Sequence, residues 1–166
     1  MKLKYISWLP AVLIMIMIFL FSTNTAEVSD QSSMSISQVV LQAYEQITDD
    51  YPEGTTEADL LGIIDHIVRK TAHFIEYALL AAAIAFHGFV MRWKVLHVLL
   101  ISIVIAGLYA GTDEYHQTFV SGRSGQPSDV LLDTAGAATG ALCYTVLWKL
   151  SRRWKAGKDR RLTTPL

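Results

Sequence analysis

The chain has 166 residues, of which 52% are hydrophobic and only 17% charged, and its mean hydropathy is +0.33. A soluble domain is typically about 25% charged, and one small core cannot bury so many apolar side chains, so the composition excludes an ordinary water-soluble protein. The net charge of −1 creates no positive field that would attract nucleic acid, and the single cysteine excludes an internal disulfide and a cysteine-rich metal site.

The first predicted element is an apolar segment from Tyr5 to Phe21, which follows Lys2 and Lys4. It is longer than the apolar core of a signal peptide, and no small-residue cleavage site follows it. We therefore predict a retained transmembrane anchor over residues 1–22. A cleaved signal peptide is the alternative.

Residues 23–62 form a segment that is too long for a simple connector. Ile36 and Val40 belong to a set of apolar residues at helical spacing, which predicts an amphipathic helix on the outer membrane face or over the bundle. Turn-forming residues from Pro52 to Thr56 then predict a break and the start of a new helix, whose apolar stripe continues into the second span.

Three further apolar segments follow, at residues 71–91, 95–112 and 130–150. Each is long enough, or nearly so, to cross a hydrocarbon core about 30 Å thick. Because a backbone in lipid must satisfy its own hydrogen bonds, such spans are predicted to be helices. The predicted fold is therefore an all-α membrane helix bundle of four transmembrane helices, with a three-span core over residues 63–150 and one or more amphipathic helices outside it.

The basic residues lie on one side of this topology. Eleven of the fourteen Lys and Arg residues precede span one, lie between spans two and three, or follow from Lys149 to the end of the chain. The positive-inside rule therefore places both termini in the cytoplasm. Residues 151–166 are predicted to be a basic cytoplasmic tail, and residues 23–62 are predicted to lie outside.

Ionisable and polar residues gather where spans two, three and four reach the outer side. Such residues are expensive inside a membrane, by about 2.5–3.5 kcal/mol each on insertion scales, and they are seldom left facing lipid. We therefore predict that they face one another in a polar cup that opens outward. The predicted cup comprises Lys70, His73, Glu76, Tyr77, Asp113, Glu114, His116, Gln117, Arg123, Asp129 and Asp133.

Three blocks in this region resemble the motifs of a known family. The first block, KTAHFIEY at residues 70–77, is similar to K-x-x-H-F-x-E-Y. The second, DEYHQTFVSGR at residues 113–123, is similar to D-E-x-x-Q-x-F-x-x-G-R. The third, DVLLDTAG at residues 129–136, is similar to D-x-x-x-[DN]-x-x-G. The chain thus resembles the VanZ-like family of small bacterial membrane proteins, although Ser121 stands where members often have proline. The resemblance implies a plasma-membrane protein of the cell envelope, linked through the founding member to low-level resistance to the glycopeptide teicoplanin.

Three roles for the predicted cup stay open. It could bind an envelope component, such as a lipid-linked cell-wall precursor or a glycopeptide. Ion pairs within it could instead lock the helix ends, as in a structural accessory protein. Finally, His73 with Glu76, or His116 with Asp113, could act as an oriented base in a membrane hydrolase or transferase.

Metal-assisted hydrolysis would need ligands such as His73, His116 and one nearby carboxylate. The patterns H-x-x-E and D-x-x-H are common by chance and neither is a zincin motif, so we predict no metal site. No serine or cysteine has the context of a nucleophile, which argues against covalent catalysis. The sequence identifies no cofactor and does not determine the oligomeric state.

Two pairs of glycines have the spacing of a helix-packing motif. Gly107 and Gly111 lie in span three, and Gly136 and Gly140 lie in span four. A GxxxG pattern lets two membrane helices approach closely. We therefore predict that both pairs pack spans three and four against each other, with homodimerisation as the alternative.

Overall fold

The structure, a computed structural model, describes residues 3–48, 51, 52 and 54–163, and every regular element in them is an α-helix. The helices are α1 (Leu3–Ile6), α2 (Leu9–Ser22), α3 (Ala26–Glu45), α4 (Glu57–Val90), α5 (Val95–Gln117) and α6 (Pro127–Thr163). Four stretches are long and apolar enough to span a membrane: Leu3–Ser22, Glu57–Val90, Val95–Gln117 and Pro127–Ala156. The predicted all-α fold with four spans is confirmed.

Helix α4 has 34 residues and a length of about 51 Å. Its N-terminus is held by a reciprocal capping box. The Thr56 hydroxyl accepts a hydrogen bond from the Asp59 N–H at 3.2 Å, and the Asp59 carboxylate accepts one from the Thr56 N–H at 3.0 Å. The predicted helix start at Thr56 and its continuation into span two are therefore confirmed.

A close helix crossing in the core joins α6 to α4. A Cβ at Gly136 would overlap the backbone carbonyl of Phe74, and a Cβ at Gly140 would overlap that of Ala78. The prediction that this glycine pair packs on span three is therefore wrong, since the pair faces span two. Glycine spacing indicates that a close approach occurs, but the neighbour depends on how each helix is rotated in the bundle.

The other glycine pair behaves differently at its two positions. A Cβ at Gly107 would lie 3.1 Å from Thr134 Oγ1 of α6, so this part of span three does approach span four. At Gly111, by contrast, no atom lies within 4 Å of where a Cβ would be. Only one of these two glycines therefore serves the predicted contact.

The first span is joined to the core by polar contacts as well as by apolar packing. Ser7, at the break between α1 and α2, has its Oγ 2.8 Å from His87 Nδ1 of α4. The Tyr109 hydroxyl of α5 donates a hydrogen bond to the Met15 carbonyl at 2.7 Å. Ile18 is buried in the same core cluster as the residues of α4, α5 and α6. The first span thus packs as part of the bundle.

The predicted amphipathic helix is α3, which packs alongside the first half of α4. Its buried residues include Ser37 and Leu41, whereas Ile36, Val39 and Val40 are exposed. The apolar stripe that predicted this helix therefore faces away from the bundle. Small serine side chains allow α3 to lie close to α4, as at many contacts between membrane helices.

Candidate functional site

A polar cavity of about 560 Å³ lies at one end of the bundle, where α2, α3, α4 and α5 meet the start of α6. The three stretches that carry the predicted cup all reach it. Of the eleven predicted cup residues, seven line the cavity: Lys70, His73, Glu76, Asp113, Gln117, Arg123 and Asp129.

Two of the remaining predicted residues lie deeper in the bundle. Tyr77 is 0% exposed and packs in the core, with its ring centroid 6.4 Å from that of Tyr109. Asp133 is 1% exposed, and its Oδ2 lies 3.9 Å from Nδ1 of His73, which does line the cavity. The second carboxylate oxygen of Asp133 has no hydrogen-bond partner among the residues that the structure describes.

The other two residues support the cavity from outside its lining. The Glu114 carboxylate accepts a hydrogen bond from the Gln126 N–H at 2.5 Å, which ties α5 to the segment before α6. His116 lies within hydrogen-bond distance of Ser22 Oγ, at 3.3 Å, and packs on Phe19 with ring centroids 5.0 Å apart. Both side chains therefore hold neighbouring elements together.

Some cavity residues are already paired with each other. Lys70 of α4 forms a salt bridge with Asp129 in the first turn of α6, and both side chains are 27% exposed. The Gln117 amide donates a hydrogen bond to the Asp113 carboxylate at 3.1 Å. These contacts define the shape of the cavity, and they reduce the number of charges that are free to meet a ligand.

Glu76 and Arg123 are half-buried cavity residues of a different kind. Neither side chain forms an ion pair or a hydrogen bond with any residue in the described part of the chain. Arg123 is positioned by a tight turn, in which Gly122 has a φ of +77° and the Arg123 N–H donates to the Val120 carbonyl at 3.1 Å. Glycine adopts this left-handed conformation without steric cost.

The structure adds a buried polar cluster that the sequence did not predict. Asp65 of α4 is buried, and its carboxylate accepts a hydrogen bond from Ser37 Oγ of α3 at 3.0 Å. The other carboxylate oxygen, Oδ2, lies 3.3 Å from Arg69 Nε. Ser33 of α3 lines the cavity beside this cluster. The available signal was the recurrence of serine every fourth residue at positions 29, 33 and 37, which forms a small polar face along one edge of the apolar stripe.

The histidines do not form the catalytic pairs considered from the sequence. Among the described residues, the carboxylate within ion-pair distance of His73 belongs to Asp133, and neither Glu76 nor Asp113 pairs with a histidine. In the same residues, no group of three or more His, Cys, Asp or Glu side chains could hold a metal ion. The cavity is therefore lined by charged and hydrogen-bonding side chains, and one of them, His73, lies beside the buried carboxylate of Asp133.

A family model described as VanZ/LLP1 matches residues 7–148 of the chain. The chain belongs to this family. The match includes α2, α3 and the whole polar cavity, so the predicted membership of the VanZ-like family is confirmed. No curated protein and no solved structure matches this VanZ/LLP1 protein.

Proposed function

We propose that the polar cavity of this VanZ/LLP1 protein binds an envelope component outside the bacterial plasma membrane. The ligand class is a lipid-linked cell-wall precursor, and its binding changes the susceptibility of the cell to teicoplanin-type glycopeptides. The antibiotic part of this proposal comes from the family, whereas the binding part rests on the cavity.

The observation that carries the proposal is that Glu76 and Arg123, which interact electrostatically inside the cavity, form no direct ion pair with each other. Both line the cavity, and neither has an ion-pair partner among the described residues. A half-buried charge is costly unless a counter-charge or hydrogen-bond partner reaches it. A ligand that brings an anionic group to Arg123 and a hydrogen-bond donor or amine to Glu76 removes both costs.

A lipid-linked cell-wall precursor has this combination of groups. Its phosphates suit a guanidinium, and its peptide and sugar portions provide N–H and O–H donors for a carboxylate. Its lipid portion would remain in the bilayer beside the helices. A cavity of about 560 Å³ is large enough for a headgroup fragment and falls in the range of small-molecule sites.

The orientation in the membrane belongs to the same proposal and is supported by the positive-inside rule. It predicts that Ser121, in the exposed turn after α5, is accessible from outside, and that Lys155 is accessible from inside. In a C143S background, S121C should react with a membrane-impermeant maleimide on intact cells, and K155C should react only after permeabilisation. The reverse labelling pattern would refute the orientation.

The binding proposal is tested with E76Q and R123Q, which remove charge and keep similar side-chain size. The matched controls are E57Q and R153Q, which change exposed residues away from the cavity. In cells, we expect the first two variants to abolish the teicoplanin effect of the wild type and the controls to retain it, at equal membrane levels. In nanodiscs, a purified lipid-linked precursor should bind the wild type and the controls, but not E76Q or R123Q. Equal binding by all five proteins would refute the proposal.

A structural role is the second candidate function. It is favoured by the salt bridge between Lys70 and Asp129, which ties α6 to α4, and by the hydrogen bond between Glu114 and Gln126, which ties α5 to the segment before α6. In that case E76Q and R123Q would lower thermal stability together with any phenotype. Unchanged stability with loss of precursor binding would separate ligand recognition from scaffolding.

A membrane hydrolase or transferase is the remaining candidate, and His73 is the residue that would act as its base. It lines the cavity and lies beside the buried carboxylate of Asp133. An H73Q variant would then bind the precursor without converting it. Product analysis by mass spectrometry after incubation with the wild-type protein distinguishes conversion from binding alone.

A further inference from the structure

A second cavity, of about 420 Å³, lies at the opposite end of the bundle from the polar cavity. It occurs where the turn between α4 and α5 meets α6. Its lining combines two arginines with three aromatic side chains: Arg92, Arg152, Phe89, Trp93 and Trp148. The residues described there include no carboxylate, so this cavity has a positive rim and apolar walls.

Arg92 is held in an unusual backbone conformation. It is the single non-glycine residue with positive φ, +62°, in the described part of the chain. The Trp93 N–H donates to the Gly88 carbonyl at 3.0 Å and the Arg92 N–H to the Phe89 carbonyl at 3.1 Å, which is the hydrogen-bond pattern of a Schellman motif. Glycine is the usual residue at this position because the left-handed conformation is unfavourable for other L-residues. An arginine here suggests that its side chain is needed.

Arg152 is positioned by an aromatic stack. Its Cζ lies 5.1 Å from the centroid of the Trp148 ring. Trp148 stacks in turn on Phe89, with centroids 4.0 Å apart and an interplanar angle of 12°. A guanidinium over an indole ring is held by a cation–π interaction. Neither Arg152 nor Arg92 forms an ion pair with a residue that the structure describes.

We propose that Arg92 and Arg152 bind the phosphate of an anionic membrane phospholipid. Guanidinium groups match phosphate oxygens through paired, charge-assisted hydrogen bonds. Trp93 lies in the turn between α4 and α5, and Trp148 lies on α6 beside that turn, at the level where aromatic residues reach the membrane interface. Both supply a surface for the glycerol and upper acyl portions of the lipid. Basic pockets between membrane helices are typical sites for acidic headgroups. This site is separate from the polar cavity and does not depend on its function.

The phosphate could also come from solution, and the apolar walls favour the lipid. Inorganic phosphate would use the guanidinium groups alone and would not contact Trp93 or the stacked pair of Phe89 and Trp148. A phospholipid would use both surfaces. The experiment therefore compares phosphatidylglycerol, phosphatidylcholine and inorganic phosphate.

The test uses the purified full chain and native mass spectrometry after titration with each lipid. We expect the wild type to retain phosphatidylglycerol in preference to phosphatidylcholine. R92G and R152Q should each weaken phosphatidylglycerol binding by at least about tenfold. R153Q, which changes an exposed arginine of α6 outside the cavity lining, should bind like the wild type.

R92G is also expected to fold normally, because glycine adopts the left-handed conformation at this position without strain. A loss of lipid binding in R92G would therefore not result from unfolding. The thermal stability of R92G should equal or exceed that of the wild type while binding falls. Wild-type affinity in both R92G and R152Q would overturn the proposal, as would an equal loss in R153Q. Displacement of phosphatidylglycerol by an equal concentration of inorganic phosphate would overturn the assignment to a lipid.

Discussion

Ser37 of α3 donates a hydrogen bond to the buried carboxylate of Asp65 in α4, with the two oxygens 3.0 Å apart. The two residues are separated by 28 positions in the chain. Because Ser37 is 0% exposed, this bond lies inside the contact between the two helices. It links the amphipathic helix to the same region of α4 that carries the polar cavity, and it makes α3 a wall of the site.

Replacing Ser37 with alanine should loosen α3 without unfolding the bundle. The variant leaves one oxygen of the buried Asp65 carboxylate without its donor, which costs about 1–3 kcal/mol. The matched control is S35A, since Ser35 is exposed on the same helix. Hydrogen exchange of the α3 amides should accelerate in S37A and remain unchanged in S35A. Equal protection in both variants would mean that the hydrogen bond does not hold α3.

The salt bridge between Lys70 and Asp129 should show measurable coupling between α4 and α6. In a double-mutant cycle with K70Q and D129N, we expect a coupling energy of about 0.5–1 kcal/mol, since both side chains are partly exposed. The measurement is the free energy of unfolding in detergent for the wild type, both single variants and the double variant. Additive effects of the two substitutions would show that the pair does not stabilise the bundle.

Substituting Gly140 should disrupt the crossing of α6 over α4. In G140A the new methyl group would overlap the carbonyl oxygen of Ala78, and overpacking of this kind costs about 1–3 kcal/mol or more. G111A is the control, because the site of its Cβ is open. Thermal unfolding should show a lower midpoint for G140A and a midpoint near that of the wild type for G111A. A similar midpoint for the two variants would contradict the packing described for α4 and α6.

Removing the capping box should fray the start of α4. T56A deletes the hydroxyl that accepts the Asp59 N–H, and loss of such a cap costs about 1 kcal/mol. T55A serves as the neighbouring control. Amide exchange at Asp59 and Leu60 should increase in T56A alone. Faster exchange along the whole length of α4 would instead indicate a global effect.

The pH dependence of Tyr51 provides a test outside the membrane spans. Its hydroxyl donates a 2.5 Å hydrogen bond to Glu45, and this bond raises the pKa of Tyr51 from 10.0 to about 12. The contact is therefore fully present below pH 10 and is lost as pH rises through about 12. In E45Q the pKa should fall toward 10.0, as followed by the ring chemical shifts of Tyr51 in an NMR titration. An unchanged pKa of Tyr51 in E45Q would show that the hydrogen bond to Glu45 does not cause the shift.

Much of this architecture follows from local sequence properties. The four spans, the start of α4 at Thr56 and the family blocks were all predictable, because hydropathy, capping and motif spacing depend on residues close together in the chain. The grouping of Lys70, Asp113 and Asp129 near one end of the bundle follows for the same reason, once the spans are drawn at equal membrane depth.

The tertiary structure alone decided which side of each helix meets which neighbour. Gly140 faces α4 and not α5, the apolar stripe of α3 points away from the bundle, and Asp133 lies beneath the cavity instead of lining it. Each of these outcomes depends on the rotation of a helix about its own axis. That rotation is set by side-chain packing between segments far apart in the chain, so a pattern within one helix does not specify it.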